Sequence, residues 1–262
     1  MHPFKFSFSK TKKGPTTSPL LTLKKQIQTV LENLGLEQVE GNFISSSFFN
    51  ADALLIPQNH PSRTMQDTFF LKQQDKQSFS FELDPLEEER ILLENLTLWG
   101  LKPSKNKFYF PVLRTHTTTT LIEEHKKTKK TNLFCIGKIF RNENQDKTHL
   151  REFHQVEIFL QSKKANLKYA FSFLKKFYAL FGFSKIKFVP AFFPYTEPSF
   201  EIYLQFEGQW LEVGGGGIFR KEIFKEGSSF PSIGIGLGLE RFCLLLNPQI
   251  SSLRQLYDIT LI

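Results

Sequence analysis

The sequence predicts an α+β domain with a mostly antiparallel sheet flanked by helices. Two observations predict it. Strand-like runs crowd the second half, at Phe153–Gln161, Glu201–Phe206, Trp210–Val213 and Ser232–Gly238, several of them separated by turns too short for parallel crossovers. Two stretches with helical spacing lie before and between these runs. An apolar fraction of 40% is enough to fill one core, and no segment approaches the roughly 18 uninterrupted apolar residues of a membrane helix.

Residues 1–18 are rich in Lys, Ser, Thr and Pro and read as a basic, flexible tail. The first 31 residues carry lysines and no acid, so a short organellar presequence is the competing reading. The domain proper is expected over 19–262. Leu20, Leu23, Ile27, Val30, Leu31 and Leu34 recur on one helical face, and Gly35 stands where a C-cap belongs. Residues 72–107 are polar and insertion-like, with no assignable role. A second helix reads from Asn166 to Phe181, stopped by Gly182. The net charge of +8 would draw a polyanion nearer without identifying one. Cys135 and Cys243 stand far apart without metal-ligand spacing, which points to a reducing, cytoplasmic setting.

Four stretches carry chemistry. Phe140–Glu143 and Glu152–Glu157 read as strand, loop, strand. Residues two apart share a strand face, so Arg141 would project with Glu143, and Phe153 with Gln155 and Glu157. A buried face bearing that set needs a ligand to satisfy it; a solvated face with salt bridges is the alternative. In Gly234-Ile235-Gly236-Leu237-Gly238-Leu239-Glu240-Arg241, alternate glycines bare one strand face for a flat ring or for a neighbouring backbone, and a cation follows at the helix start. Phe192–Ser199 sets Phe193 and Tyr195 around a proline, as a pocket wall or an aromatic core loop. Leu113–Thr120 offers His116, Thr118 and further hydroxyls, either to a small polar ligand or as a Thr-rich strand with a helix cap.

In order, these stretches resemble the α subunit of phenylalanyl-tRNA synthetase. Leu20–Gly41 is similar to the class II motif 1. Phe49–Leu54 and Asn59–Phe69 are similar to a segment peculiar to that synthetase. Arg141–Glu157 resembles motif 2, Phe193–Ser199 the aromatic pocket loop, and Gly234–Arg241 motif 3; Glu212–Gly215 and Ile218–Arg220 resemble the archaeal-type strand between the last two. The resemblance covers about residue 19 to the end, save 72–107. It implies the class II catalytic fold and the ATP-dependent activation of phenylalanine for transfer to tRNA(Phe).

The resemblance also implies roles. Arg141 would hold the ATP α-phosphate, and Glu143 would lie near the adenine or the tRNA end. Phe153 and Arg241 would sandwich the adenine, and Glu212 would hold Mg²⁺. Gln155, Glu157, His116 and Thr118 would receive the substrate's polar end, and Phe193 and Tyr195 its ring. Gly234, where the family usually has alanine, would lengthen the pocket unless a neighbour moves in; the alternative is that it only lets the backbone pack closely while Tyr195 fills the space. A separate β subunit, in a heterotetramer, is the implied partner. The family's N-terminal extension and the anticodon domain of its single-chain form have no counterpart here, so a catalytic core alone is expected. Asn42 and Ile158 depart from the Pro and Gly of the family pattern. The stripe of Leu23, Ile27, Val30 and Leu34 is expected to bury partly against another chain, and Lys126, Lys127, Lys129 and Lys130 to form a solvated or tRNA-facing loop. A stand-alone adenylating paralogue is the alternative function. A non-catalytic module fits poorly, because it has no need to keep charges that are costly to bury.

Overall fold

The computed structural model describes residues 18–64, 67–72, 84–101, 110–144, 149–224 and 230–257. The expected tail, save Ser18, and much of the 72–107 stretch lie outside the described residues. The chain opens with helix α1 (Pro19–Asn33), whose start is favoured by Pro19 at its first position. Gly35 follows at φ 85°, a left-handed conformation that glycine adopts without strain, and the helix stops there. Strands β1 (Glu37–Gln38) and β2 (Ile44–Ser46) and the short helix α2 (Ser47–Asn50) come next.

Helix α3 (Pro85–Trp99) fills part of the stretch that the sequence left without a role. Asp84 caps it, its carboxylate accepting from Leu86 N at 3.0 Å, and Gly100 ends it at φ 63°. The buried Asn95 and the half-buried Trp99 serve carbonyls of a tight turn. Asn95 Nδ2 donates to Ile56 O at 2.9 Å, and Trp99 Nε1 to Leu55 O at 2.7 Å. Arg90 Nη1 donates to Glu222 O at 2.8 Å. The helix therefore braces two segments behind the sheet.

Strand β3 (Pro111–Leu113) pairs with β2, and helix α4 (Thr118–Thr128) follows. The main sheet is completed by β4 (Asn132–Phe140), β5 (Glu152–Gln161), β6 (Ile186–Phe193), β7 (Thr196–Phe206), β8 (Gln209–Phe219) and β9 (Ser232–Gly238). Helix α5 (Leu167–Ala179) lies between β5 and β6, and α6 (Leu239–Leu246) follows β9. The order β1-β4-β5-β9-β8-β7-β6 is antiparallel at every pair except β1–β4.

The period of two along each strand gives this sheet two different faces. Val156, Ile158 and Leu160 of β5 join Ile233, Ile235 and Leu237 of β9 in one core beneath α1, α5 and α6. Phe159, Leu133 and Cys135 point the other way, into a smaller core with Leu121 and Ile122 of α4. The polar and glycine positions of β5, β8 and β9 share this second face, and the site lies there.

The structure corrects one expectation and refines another. Leu23, Ile27 and Val30 are buried within the chain, 3%, 1% and 3% exposed, so the α1 stripe is already covered; of the four named residues, Leu34 alone stays partly open at 38%. The lysine run is only in part a loop: Lys126 and Lys127 belong to the last turn of α4, Lys129 caps it, and Lys127, Lys129 and Lys130 are exposed as a solvated run would be. Lys126 Nζ pairs with Glu87 at 2.8 Å and Lys130 Nζ with Glu37 at 2.5 Å.

Candidate functional site

A cavity of about 380 Å³ opens on the polar face of the sheet. Every candidate from the sequence lines it except His116 and Thr118. Its floor is glycine. Gly215 and Gly236 are register partners on β8 and β9. A Cβ on Gly236 would stand 2.6 Å from Gln155 Nε2, and one on Gly215 would stand 2.8 Å from the Phe193 ring. The bare strand face expected from alternating glycines is thus occupied by functional side chains lying flat on it.

At the inner end Gln155 and Glu157 form a fixed pair. Gln155 Oε1 accepts from Thr117 N at 3.2 Å, and its Nε2 donates to Glu157 Oε2 at 3.0 Å. Glu157 is 4% exposed. Burial pushes its carboxyl up to about 8, against a hydrogen bond from Thr118 that favours the charged form. A carboxylate so placed is completed by a cation, and a ligand ammonium is the group that fits. Thr118 therefore reaches the site through Glu157. His116 does not line the cavity: its Nε2 donates to Asn50 O at 2.9 Å, and burial lowers its pKa to about 4, which keeps the ring neutral. Its direct role at the ligand's polar end is not supported by this position.

Beside that polar end is an aromatic wall. Phe193 and Tyr195 stack with centroids 6.1 Å apart at 17°, and Tyr195 meets Phe219 at 6.2 Å. Phe193 ends β6 and Tyr195 lies in the turn that follows, and the loop read from the sequence continues directly into strand at Thr196. Arg220 fixes this turn by donating to Pro194 O at 3.0 Å and pairing with Glu197 at 2.5 Å. Phe219, a core residue behind the cavity wall, overturns the reading of Gly234. A Cβ on Gly234 would lie 2.4 Å from Cζ of Phe219, so the space vacated by the missing methyl is filled by a ring. The pocket is not lengthened.

At the outer end Arg141 donates through Nε to Thr115 O at 3.3 Å and lies over the Phe153 ring at 5.4 Å. Strand β4 stops at Phe140, so Arg141 and Glu143 are not on a regular strand as expected. They nevertheless both line the cavity, with Arg141 Nη1 3.9 Å from Glu143 Oε1. Across the cavity Arg241 Nη1 lies 3.4 Å from Glu212 Oε1. A second carboxylate, Glu201 on β7, also lines the cavity and accepts from Tyr203 Oη at 2.9 Å. Its signal was readable: Glu201 and Tyr203 are the polar positions of an alternation whose other members, Phe200, Ile202 and Leu204, are buried. Glu212 and Glu201 suit Mg²⁺, which takes one or two carboxylates together with substrate phosphates. No cluster of three or more His, Cys, Asp or Glu able to hold a metal by itself occurs among the described residues.

Chemically, the cavity offers a buried carboxylate for an ammonium, an aromatic wall for a ring, and two arginines with two carboxylates for a phosphate–metal group. Residues 5–261 match the family model described as tRNA synthetases class II core domain (F). The phenylalanine–tRNA ligase α subunit of Methanoculleus marisnigri is 40% identical over 244 residues, covering 91% of this chain and 50% of that protein. That of Thermoplasma volcanium is 36% identical over 259 residues, covering 94% and 52%. The chain thus spans about half the length of the curated relatives it matches. A crystal structure of pyrrolysyl-tRNA synthetase from Desulfitobacterium hafniense superposes with a TM-score of 0.61 at 18% identity, covering 90% of this chain and 72% of that one, a likeness of fold. Among the described residues no helix is long and apolar enough to cross a membrane.

Proposed function

Since this chain belongs to the tRNA synthetases class II core domain (F) family, we propose that it is the catalytic part of a phenylalanine–tRNA ligase α subunit, activating L-phenylalanine with ATP and passing it to tRNA(Phe). The observation that carries the reading is the juxtaposition in one cavity of the buried Glu157, the Phe193–Tyr195 wall and the Arg141/Arg241 pair. An amino acid with an aromatic side chain satisfies the first two, and a nucleoside triphosphate the third.

In this mechanism Glu157 and Gln155 take the substrate ammonium, and Phe193 and Tyr195 hold its ring. The adenine lies between Phe153 and Arg241, with Glu143 at its edge or at the tRNA end. Arg141 holds the α-phosphate. An oxygen of the substrate carboxylate bonds to the α-phosphorus in line as the bond to the bridging oxygen breaks, and pyrophosphate leaves. Arg141 stabilises the charge gathered on the α-phosphoryl oxygens, a role that needs donors already in place before reaction. Glu212, with Glu201 on the neighbouring strand, would hold Mg²⁺, which neutralises phosphate charge when bound. A terminal ribose hydroxyl of tRNA then attacks the acyl carbon, and AMP leaves. The working assembly is cytoplasmic and pairs this chain with a separate β subunit in a heterotetramer.

Phenylalanine-dependent exchange of pyrophosphate into ATP, by the chain with and without its β partner, tests the reading. Charging of tRNA(Phe) by the pair supports the whole of it. Exchange by the chain alone with no charging in any assembly would favour the stand-alone adenylating paralogue, and no exchange in any assembly refutes it.

A further inference from the structure

Glu240 is a buried carboxylate that the mechanism above leaves without a task. It is 1% exposed, lines the cavity and directly precedes Arg241 on α6. Both its oxygens accept from the backbone amide of His154, at 2.8 and 2.9 Å. Oε1 also lies 2.8 Å from His154 Nδ1 and accepts from the Tyr257 hydroxyl.

The position of that amide explains the arrangement. The β5–β9 ladder ends where Gln155 faces Gly238, so His154 stands one residue past the last rung on the β9 side. Its N–H would otherwise be left to solvent at the rim of the site. The Glu240 carboxylate takes the place of the missing strand and extends the ladder by one charge-assisted bond. His154 lies between Phe153 and Gln155, and both of these neighbours line the cavity. Tyr257 ends the turn Leu253–Tyr257, which also brings Leu253 to the cavity wall. Burial, and next the Glu240 charge, push the Tyr257 hydroxyl well above its ordinary value, which keeps it a donor.

We infer that Glu240 and Tyr257 are positioning residues for the nucleotide: they tie the start of β5 to the start of α6 and so fix the spacing between Phe153 and Arg241 that receives the adenine ring. The inference rests on the proposed sandwich of that ring. It makes the Leu253–Tyr257 turn a working part of the ATP site, although Tyr257 points at a carboxylate and not at the ligand.

The test uses the full chain in the assembly that exchanges pyrophosphate, with KM for ATP and for phenylalanine measured separately and ATP binding followed by calorimetry. Glu240→Gln turns a charge-assisted acceptor into a neutral one and opposes an N–H₂ to donors; ATP affinity and KM should weaken by about tenfold or more. Tyr257→Phe keeps the ring and loses the hydroxyl, with an expected change of about threefold to tenfold. It also keeps the test open if Glu240→Gln does not fold. KM for phenylalanine should stay within about twofold in both, since Gln155 and Glu157 are anchored elsewhere, and Glu240→Asp should recover part of the ATP affinity. Unchanged ATP affinity in Tyr257→Phe and in folded Glu240→Gln overturns the inference, as does an equal loss for both substrates, which would mark general loosening. A wild-type assembly that binds no ATP overturns the sandwich reading itself, and this inference with it.

Discussion

Gln155 and Glu157 stand two residues apart on β5, and the amide of the first donates to the carboxylate of the second at 3.0 Å. Burial outweighs this bond and the one from Thr118, and pushes the Glu157 carboxyl up to about 8 from its ordinary 4.5. At pH 7 most of the free protein therefore carries a proton there, and an ammonium ligand must displace it. The affinity for phenylalanine should rise with pH between about 6.5 and 8, approaching tenfold per pH unit at the lower end. The sign for stability is opposite. The folded value is raised above the unfolded one, so the ligand-free chain loses stability as pH climbs from 4.5 towards 8. KM for phenylalanine measured across this range should flatten in Glu157→Gln at a higher value; parallel profiles in the two proteins would refute the role.

Arg141 is held by Thr115 O and lies against Phe153, so its charge is in place before any phosphate arrives. Arg141→Ala should lower the rate of pyrophosphate exchange by about 10²–10³ while the circular dichroism spectrum and melting temperature stay close to wild type. Exchange within a few-fold of wild type would remove Arg141 from the chemistry.

Part of the sheet was legible from its apolar runs, and the expected Ser232–Gly238 agrees with β9, whose residues are buried in succession because both faces of the sheet are covered. The β8 strand was cut short at Val213 because Gly214–Gly217 carries no side chains for the pattern to register. What supports those glycines is long-range, the Phe193 ring and the β9 backbone. The site itself was mostly legible, since polar residues on a sheet face advertise themselves. Phe219 and Glu240 were not, because an aromatic ring or an acid acquires its role only from what it meets across the fold. The task of α3 was hidden for the same reason: Asn95 and Trp99 serve carbonyls roughly forty residues away.

That bracing by α3 can be measured. Asn95 is fully buried and its amide is bonded to Ile56 O. Asn95→Leu removes the donor from a buried carbonyl and should cost about 1–3 kcal/mol, read as a lower denaturant midpoint with an unchanged slope. A midpoint equal to wild type would show that Arg63, which also donates to Ile56 O, suffices.

Glu87 gives an acid-side counterpart to Glu157. Burial opposes its charge, but hydrogen bonds from Arg90 and Lys126, with their charges, bring its pKa down to about 2 from 4.5. A depressed carboxyl contributes stability above its unfolded value, and that contribution is lost as pH falls from 4.5 towards 2. Glu87→Gln should therefore be less stable than wild type at pH 6 and approach it near pH 2.5. A constant difference across that range would mean that the pair with Lys126 and Arg90 contributes through shape and not charge.

The last prediction concerns the length of the ring pocket. Gly234 lines the cavity, yet Phe219 lies against it closely enough that an added methyl would stand 2.4 Å from the ring. Phe219 also backs Tyr195 at 6.2 Å and is itself 6% exposed, so it has little freedom to retreat. Gly234→Ala should then act as overpacking, with a loss of about 1–3 kcal/mol in stability and a weakened affinity for phenylalanine itself. Phe219→Leu does the reverse. It clears space behind Gly234, and discrimination between phenylalanine and para-chlorophenylalanine should relax by about 10-fold to 200-fold in kcat/KM, with tyrosine rejected less well. Because the two residues touch, their effects should not add: Phe219→Leu should make Gly234→Ala tolerable, and the double variant should regain both stability and discrimination. Measuring kcat/KM for the three amino acids across this four-member cycle decides the matter. Additive effects, or an unchanged ratio in Phe219→Leu, would mean that the pocket's end is set elsewhere.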